Sequence, residues 1–263
     1  MKVLLSEMTT HEIKEKAKPN TVVVVPVGSM EQHGPHLPLE TDSRLVQEVA
    51  TRAAQMAANR ISVLVTPTVW LGLSGQHIDF CGTLTLDPHC FMDVMSAIIQ
   101  SLERHGFRRI VLLNGHGGNM AALDTIARAF QSEVKTLVVA VAYWRLAEEG
   151  RIEAVRQSGP GGMAHAGEFE TSCMLFLRPE LVHLDRMIRR VPKWNTRYFA
   201  MDLQISRKVQ LTHRVSDFSD SGVFGDPTIA SAEKGEEFLK AVIHGVADFL
   251  VEFASWDFET LCD

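Results

Sequence analysis

No apolar run in this chain approaches the roughly 18 residues that a membrane-spanning helix needs. The stretch Met1-Lys-Val-Leu-Leu-Ser-Glu-Met8 holds neither a long apolar core nor a small-residue cleavage site. A soluble, cytoplasmic protein with no membrane partner is the expectation. Basic tracts are missing as well. The net charge is −6, and no stripe of arginines interleaved with aromatics is present to neutralise phosphates, which argues against nucleic acid as a partner. Cysteine is sparse: Cys81, Cys90, Cys173 and Cys262 sit in unrelated contexts without CxxC spacing. They are expected to be reduced thiols serving as small apolar residues, not disulfide partners. No glycine loop reads GxGxxG or GxxxxGK(S/T), so the signal for a nucleotide is weak. Internal repeats and low-complexity stretches are absent too.

What is present is enough apolar material for a full core. With 263 residues, 46% of them hydrophobic, the chain is expected to form a single domain over 1–263. Apolar β-branched runs at Thr21 to Val27, Ile61 to Thr66, Arg109 to Leu113 and Thr136 to Ala142 alternate with helical patterns. This alternation predicts a three-layer α/β/α sandwich with a mostly parallel central sheet. Helices are predicted over Thr41 to Asn59, Asp87 to His105, Met120 to Phe130, Glu170 to Leu177 and Ser231 to Phe253. The second has Asp87 at its cap, Pro88 in its first turn and Gly106 just past its end, the asymmetry that helix termini favour. Val191 to Pro227 is polar and weakly periodic, and reads as an excursion that covers a site or meets a neighbouring subunit.

Chemistry gathers where strands end. Glu31-Gln-His33-Gly-Pro-His-Leu-Pro-Leu-Glu-Thr-Asp42 follows the first apolar run, and Asn114-Gly-His116-Gly-Gly-Asn119 follows the third. At a strand end the backbone is fixed by packing while side chains remain free to converge. Glu31, Asp42 and Glu170 with His33 and His116 make a mixed oxygen and nitrogen donor set that suits Zn, Mn or Fe(II) better than Ca. Lacking cysteine, the set reads as a catalytic centre that keeps water, and Asp42 at a helix start is a reasonable bridge between two divalent ions. A third cluster, His165-Ala-Gly-Glu168-Phe-Glu170-Thr-Ser172, offers a candidate proton shuttle in His165. Glu168 and Glu170 lie about 200° apart on a helix and cannot share one face. Met174 and Leu177 share the stripe of Glu170, which makes it the preferred ligand, with Glu168 the alternate. His36 is read as ordering its loop and His77 as reaching substrate or as a structural partner. Asn114 and Asn119 are read as holding the glycine loop.

These motifs, with Phe80-Cys-Gly-Thr83 between them, resemble those of the creatininase superfamily over about Val22 to Leu184, and Gly225-Asp-Pro227 and Glu233-Lys-Gly235 fit near the end. The resemblance implies a creatininase-like α/β domain, a binuclear metal centre, hydrolysis of C–N amide bonds in small cyclic or formamide substrates, and often a hexamer, hence a homo-oligomer here. Carried over, Glu31, His33, Asp42 and His116 match the metal ligands, with Asp42 as the bridge, and His165 matches the substrate-side histidine. Two departures stand out. Where creatininase proper has a tyrosine and a metal-binding glutamate, this chain has Gly117 and Gly118, so the missing ligand falls to Glu170. A tryptophan that encloses creatinine is replaced by Gly161, while Trp144 remains in a Tyr-Trp pair. His77, Trp144 and Gly117 are accordingly expected to line a wider substrate pocket, and creatinine is not the expected substrate. Double-glycine relatives include pyrimidine formamide hydrolases, a peptidase of mycofactocin maturation and hydrolases of inositol catabolism.

The favoured reading is a metal-dependent amidohydrolase in which an activated water attacks a carbonyl and His165 or Glu168 passes a proton to the leaving nitrogen. The alternative is a non-catalytic small-molecule binding module, or an α/β oxidoreductase using a nucleotide.

Overall fold

A computed structural model of the chain describes residues 2–130, 135–193, 196–205, 209–211 and 213–257. Four parallel strands, β1 (Val22–Val27), β2 (Val63–Val65), β3 (Arg109–Asn114) and β4 (Leu137–Ala142), form a sheet in the order β2-β1-β3-β4. Every residue of β1 is buried, as its unbroken apolar sequence requires of a strand covered on both faces. Alternate side chains divide the core. Val22 and Val24 face one cluster, and Val23, Val25 and Val27 face the other.

On the first face lie α2 (Thr41–Ala57), α6 (Glu168–Leu177) and α7 (Ala232–Phe253), with Val46, Val49, Phe169, Phe238 and Val242 in contact. On the second lie α3 (Pro88–Arg104) and α4 (Met120–Ala129), through Phe91, Met95, Ile99, Leu123 and Ile126. The result is an α/β/α sandwich. Asp87 caps α3 by accepting from the amides of His89 and Cys90, and Ser231 caps α7 by accepting from Lys234 N.

Register decides where the site falls. Val27 pairs with Asn114, and Asn114 with Ala142, so β1, β3 and β4 end at one level and release their following loops along one sheet edge. In parallel sheets that carboxyl edge is where ligands bind.

Several elements differ from expectation. α1 (Thr10–Lys16) was not anticipated, although its capping box of Thr9 and Glu12 is local. The short α5 (Arg151–Val155) and an antiparallel pair, β5 (Met163–His165) with β6 (Phe224–Gly225), were likewise unforeseen. α6 starts two residues before the expected Glu170. Arg190 bridges to Gly225, and Phe199, Met201, Val215 and Phe224 form a small third cluster, so the described part of the 191–227 excursion packs on β5 and β6. Cys173 is buried, but Cys81 and Cys90 are exposed and fill no core, which corrects the expectation for those two, and Cys262 lies outside the described residues. No helix among the described residues is long and apolar enough to cross a membrane.

Candidate metal centre

Four segments deliver side chains to the carboxyl edge of the sheet. The loop after β1 brings Glu31 and His33, the first turn of α2 brings Asp42, the loop after β3 brings His116, and the first turn of α6 brings Glu170. Their donor atoms form three groups, each lying within 4.8 Å: Glu31, Asp42 and His116; His33, Asp42 and Glu170; and Glu31, His33 and His165. The first two share Asp42. All six residues are buried.

Around each imidazole a main-chain carbonyl decides which ring nitrogen carries the hydrogen. His33 Nδ1 lies 3.1 Å from Glu31 O, so that nitrogen donates to the main chain and Nε2 is the one turned to Asp42 Oδ1, also at 3.1 Å. His116 Nε2 donates to Leu73 O at 3.0 Å and turns Nδ1 to Glu31 Oε1 at 3.2 Å and Asp42 Oδ2 at 3.1 Å. His165 Nε2 donates to Gln32 O at 2.8 Å, leaving Nδ1 3.7 Å from Glu31 Oε1. Among the carboxylates, Asp42 Oδ2 accepts from Ser29 Oγ at 2.7 Å, and Glu170 Oε2 accepts from Ala166 N at 2.6 Å. Ala166 is the one non-glycine with positive φ (51°) among the described residues, a strained backbone held where it serves Glu170. Asn114 grips both the amide and the carbonyl of His116, and Asn119 spans Gly28 O and Leu73 N, so both asparagines hold the loop.

Electrostatics are set by three carboxylates in a buried space. Burial pushes His33 down, yet Asp42, Glu170 and Glu31 outweigh it and raise the imidazole to about 10. His116 is raised for the same reason by Glu31 and Asp42, which overcome its burial. Burial pushes Asp42 up, but His33 and His116 hold it well below the usual carboxylate range. Burial raises Glu170, helped by Asp42 and Glu31. His77 and His165 are driven down by burial and by neighbouring imidazoles, so both are neutral. Neither oxygen of the buried Glu31 carboxylate meets a hydrogen-bond donor in good geometry. An orphaned buried carboxylate is costly, and a cation removes that cost. Imidazole nitrogens aimed at carboxylates, a shared aspartate and this orphaned carboxylate fit two divalent ions well.

Other expected site residues fall in different places. Glu168 does not enter the centre. Its oxygens accept from Gln157 N at 2.9 Å, Ser158 N at 2.8 Å and Lys234 Nζ at 2.7 Å, so the carboxylate faces Lys234 and not the three ligand groups. His77 is buried beside the centre, its ring 4.5 Å from that of His165 and its Nε2 3.4 Å from Glu31 Oε1. Trp144 follows β4 and packs edge-on against Tyr143 at 5.2 Å within the core cluster. Gly117 faces open space, whereas a Cβ on Gly118 would stand 2.4 Å from both His116 Nε2 and Leu73 O. This backbone therefore has no room for a glutamate at 118. Gly161 has φ +86°, a conformation that equally disfavours tryptophan. His36 bonds Thr171 Oγ1 at 3.0 Å and ties its loop to α6. Two residues were missed, Ser29 and Gln32. Both flank the ligands of the first motif, and that adjacency was the available signal.

Comparison with known proteins agrees with this geometry. The family model described as Creatininase: Creatinine amidohydrolase matches residues 6–250. Creatinine amidohydrolase of Pseudomonas putida is 32% identical over 269 residues, covering 95% of this chain and 96% of that protein. Mycofactocin precursor peptide peptidase of Mycolicibacterium smegmatis is 36% identical, covering 86% and 83%. The 3-dehydro-scyllo-inosose hydrolase of Thermotoga maritima is 30% identical, covering 92% and 80%. A manganese creatininase structure superposes with a TM-score of 0.80 at 30% identity, over 96% of this chain and 98% of that one. A mutant creatininase of the Zn–Zn type gives the same score, identity and coverage. From its ligand-bearing loops to its sandwich fold, the chain belongs to the creatininase family of metal-dependent hydrolases.

Proposed function

We propose that the protein hydrolyses a C–N bond in a small amide, formamide or short peptide, using a pair of divalent ions. One observation carries this reading: two three-residue ligand groups share a single aspartate. In the proposed arrangement Glu31, Asp42 and His116 hold one ion, and His33, Asp42 and Glu170 hold the other. When bound, such ions supply Lewis acidity and bring the pKa of water toward neutrality. The protein's own part is to orient and to move protons. The neutral His165 presents bare Nδ1 beside Glu31 and is placed to take a proton and hand it to the leaving nitrogen. Ser29 and Ala166 keep the Asp42 and Glu170 carboxylates from rotating.

Creatinine is not the proposed substrate. Gly117 and Gly161 remove bulk from the substrate side, and Gly118 excludes the glutamate that creatininase proper would place there. Trp144 and Gly117 are proposed to border the substrate. The chain is further proposed to work as one cytoplasmic domain and to assemble as a homo-oligomer, for which Trp70, Leu84 and Leu184 offer large exposed apolar surface at 49%, 49% and 64%. Sedimentation at micromolar concentration tests the assembly. Function is tested by elemental analysis of the zinc- or manganese-loaded protein, followed by a screen of small amides, formamides, lactams and short peptides. About two ions per chain and turnover of one of these classes is the expected result. Fewer than one ion per chain, or creatinine turned over at the ~1–1000 per second of a dedicated enzyme, would overturn it.

A further inference from the structure

Gln32 lies between two ligands and touches neither, yet its carboxamide is fully engaged. Its Oε1 accepts from Gly34 N at 2.8 Å, and its Nε2 lies 3.1 Å from Gly222 O and 2.7 Å from His77 Nδ1. The same amide nitrogen is 3.1 Å from His165 Nε2, which already donates to Gln32 O, so this last contact is lateral packing between two donors. Gly222, at φ +79°, allows the approach, because a Cβ there would stand 1.9 Å from Gln32 Oε1.

The backbone settles which way this amide points. Reversed, its oxygen would face the Gly222 carbonyl and its NH2 would face the Gly34 N–H, two repulsions in place of two bonds. With the orientation fixed, the NH2 donates to His77 Nδ1. His77 must then carry its hydrogen on Nε2, the atom 3.4 Å from Glu31 Oε1. His33 and His116 turn Nε2 and Nδ1 to the carboxylates, positions where a metal can replace the proton, whereas His77 turns an N–H there that its other nitrogen's partner holds in place.

We infer that Gln32 and His77 form a relay of positioning residues in which the Gln32 carboxamide fixes the His77 tautomer, so that His77 turns an N–H toward the Glu31 carboxylate and is not a further metal ligand. Metal-ligand carboxylates are held by such donors, and their loss typically loosens a metal about 10–100-fold. His116 Nδ1 also approaches Glu31 Oε1, at 3.2 Å, but on the two-ion reading that nitrogen is taken by metal, which leaves the His77 N–H to orient the carboxylate. The inference rests on the two-ion reading of the centre.

The test uses ring-nitrogen NMR of the full chain with 15N-labelled histidine, with and without zinc, alongside zinc titration. In the wild-type protein the His77 Nε2 should carry the hydrogen in both states. Gln32→Glu keeps an acceptor for Gly34 N but offers no donor to His77 Nδ1, and should move the hydrogen to Nδ1. Gln32→Leu should loosen one of two zinc ions about 10–100-fold and leave the other unchanged. A wild-type His77 protonated at Nδ1, a tautomer indifferent to Gln32→Glu, or equal loosening of both ions would overturn the relay. The wild-type spectrum decides even if a variant fails to fold. A chain that binds no zinc but shows the Nε2–H tautomer would sink the two-ion reading while leaving the tautomer assignment standing.

Discussion

Glu168 and Glu170 are two residues apart on one helix, both buried, and have opposite fates. Helical phase separates them: Glu170 turns inward to His33 and Asp42, while Glu168 turns to Lys234 and the amides of Gln157 and Ser158. That phase is legible in sequence because Met174 marks the inward stripe. The partner of Glu168 is not, since Lys234 lies far along the chain and only the fold brings it near. Glu170→Gln should therefore remove one of two ions on elemental analysis. Glu168→Gln should keep both ions and lower stability, because it strips the charge partner from a Lys234 side chain that is only 11% exposed. Breaking such a buried pair costs about 3–5 kcal/mol, readable as a fall in Tm. An unaltered Tm with reduced metal would exchange the two roles. For Asp42→Ala, loss of both ions is expected, since both ligand groups use it. Retention of two ions would show that it is not a bridge.

Elements carry the next level of control. The carboxyl edge was readable from the sequence because β1 and β3 are continuous apolar runs that stop at polar glycine loops. β5 and β6 escaped notice because strands of three and two residues in glycine-rich surroundings have no period to detect. The placement of α6, and so of Glu170, depends on α7. A Cβ on Gly235 would stand 1.9 Å from Ser172 O, so the two helices meet backbone to backbone. Alanine gains about 1 kcal/mol of helix propensity over glycine. Here overpacking, typically about 1–3 kcal/mol, opposes that gain, and since a main-chain oxygen cannot step aside the clash should win. Gly235→Ala should lower Tm and weaken zinc binding by displacing Glu170. A rise in Tm would show that the helices slide apart freely.

For the molecule as a whole, the centre links stability to pH. Consider the protein stripped by a chelator. His33 is raised from 6.5 to about 10, so its stabilising contribution is full below pH 6.5 and is lost as pH climbs through about 10. His116 is shifted in the same direction, and the raised Glu170 also favours its protonated form. The stripped protein should lose Tm steadily from pH 6.5 to 10. Metal requires these ligands without their protons, so binding tightens over the same range and releases protons. The gap in Tm between loaded and stripped protein should thus widen with pH, as differential scanning calorimetry would read it. Parallel curves would mean that the imidazoles do not hold these protons. A further consequence concerns the order in which the chain is made. Glu31, Asp42 and His116 all precede α4, whereas Glu170 arrives fifty-four residues after His116. At ~5–20 residues per second, a nascent chain spends seconds with one coordination set encoded and the other still lacking its last carboxylate. On the proposed two-ion arrangement, closure of the second set would be a late event in biogenesis, one that waits for the carboxyl-terminal half to dock on the amino-terminal half.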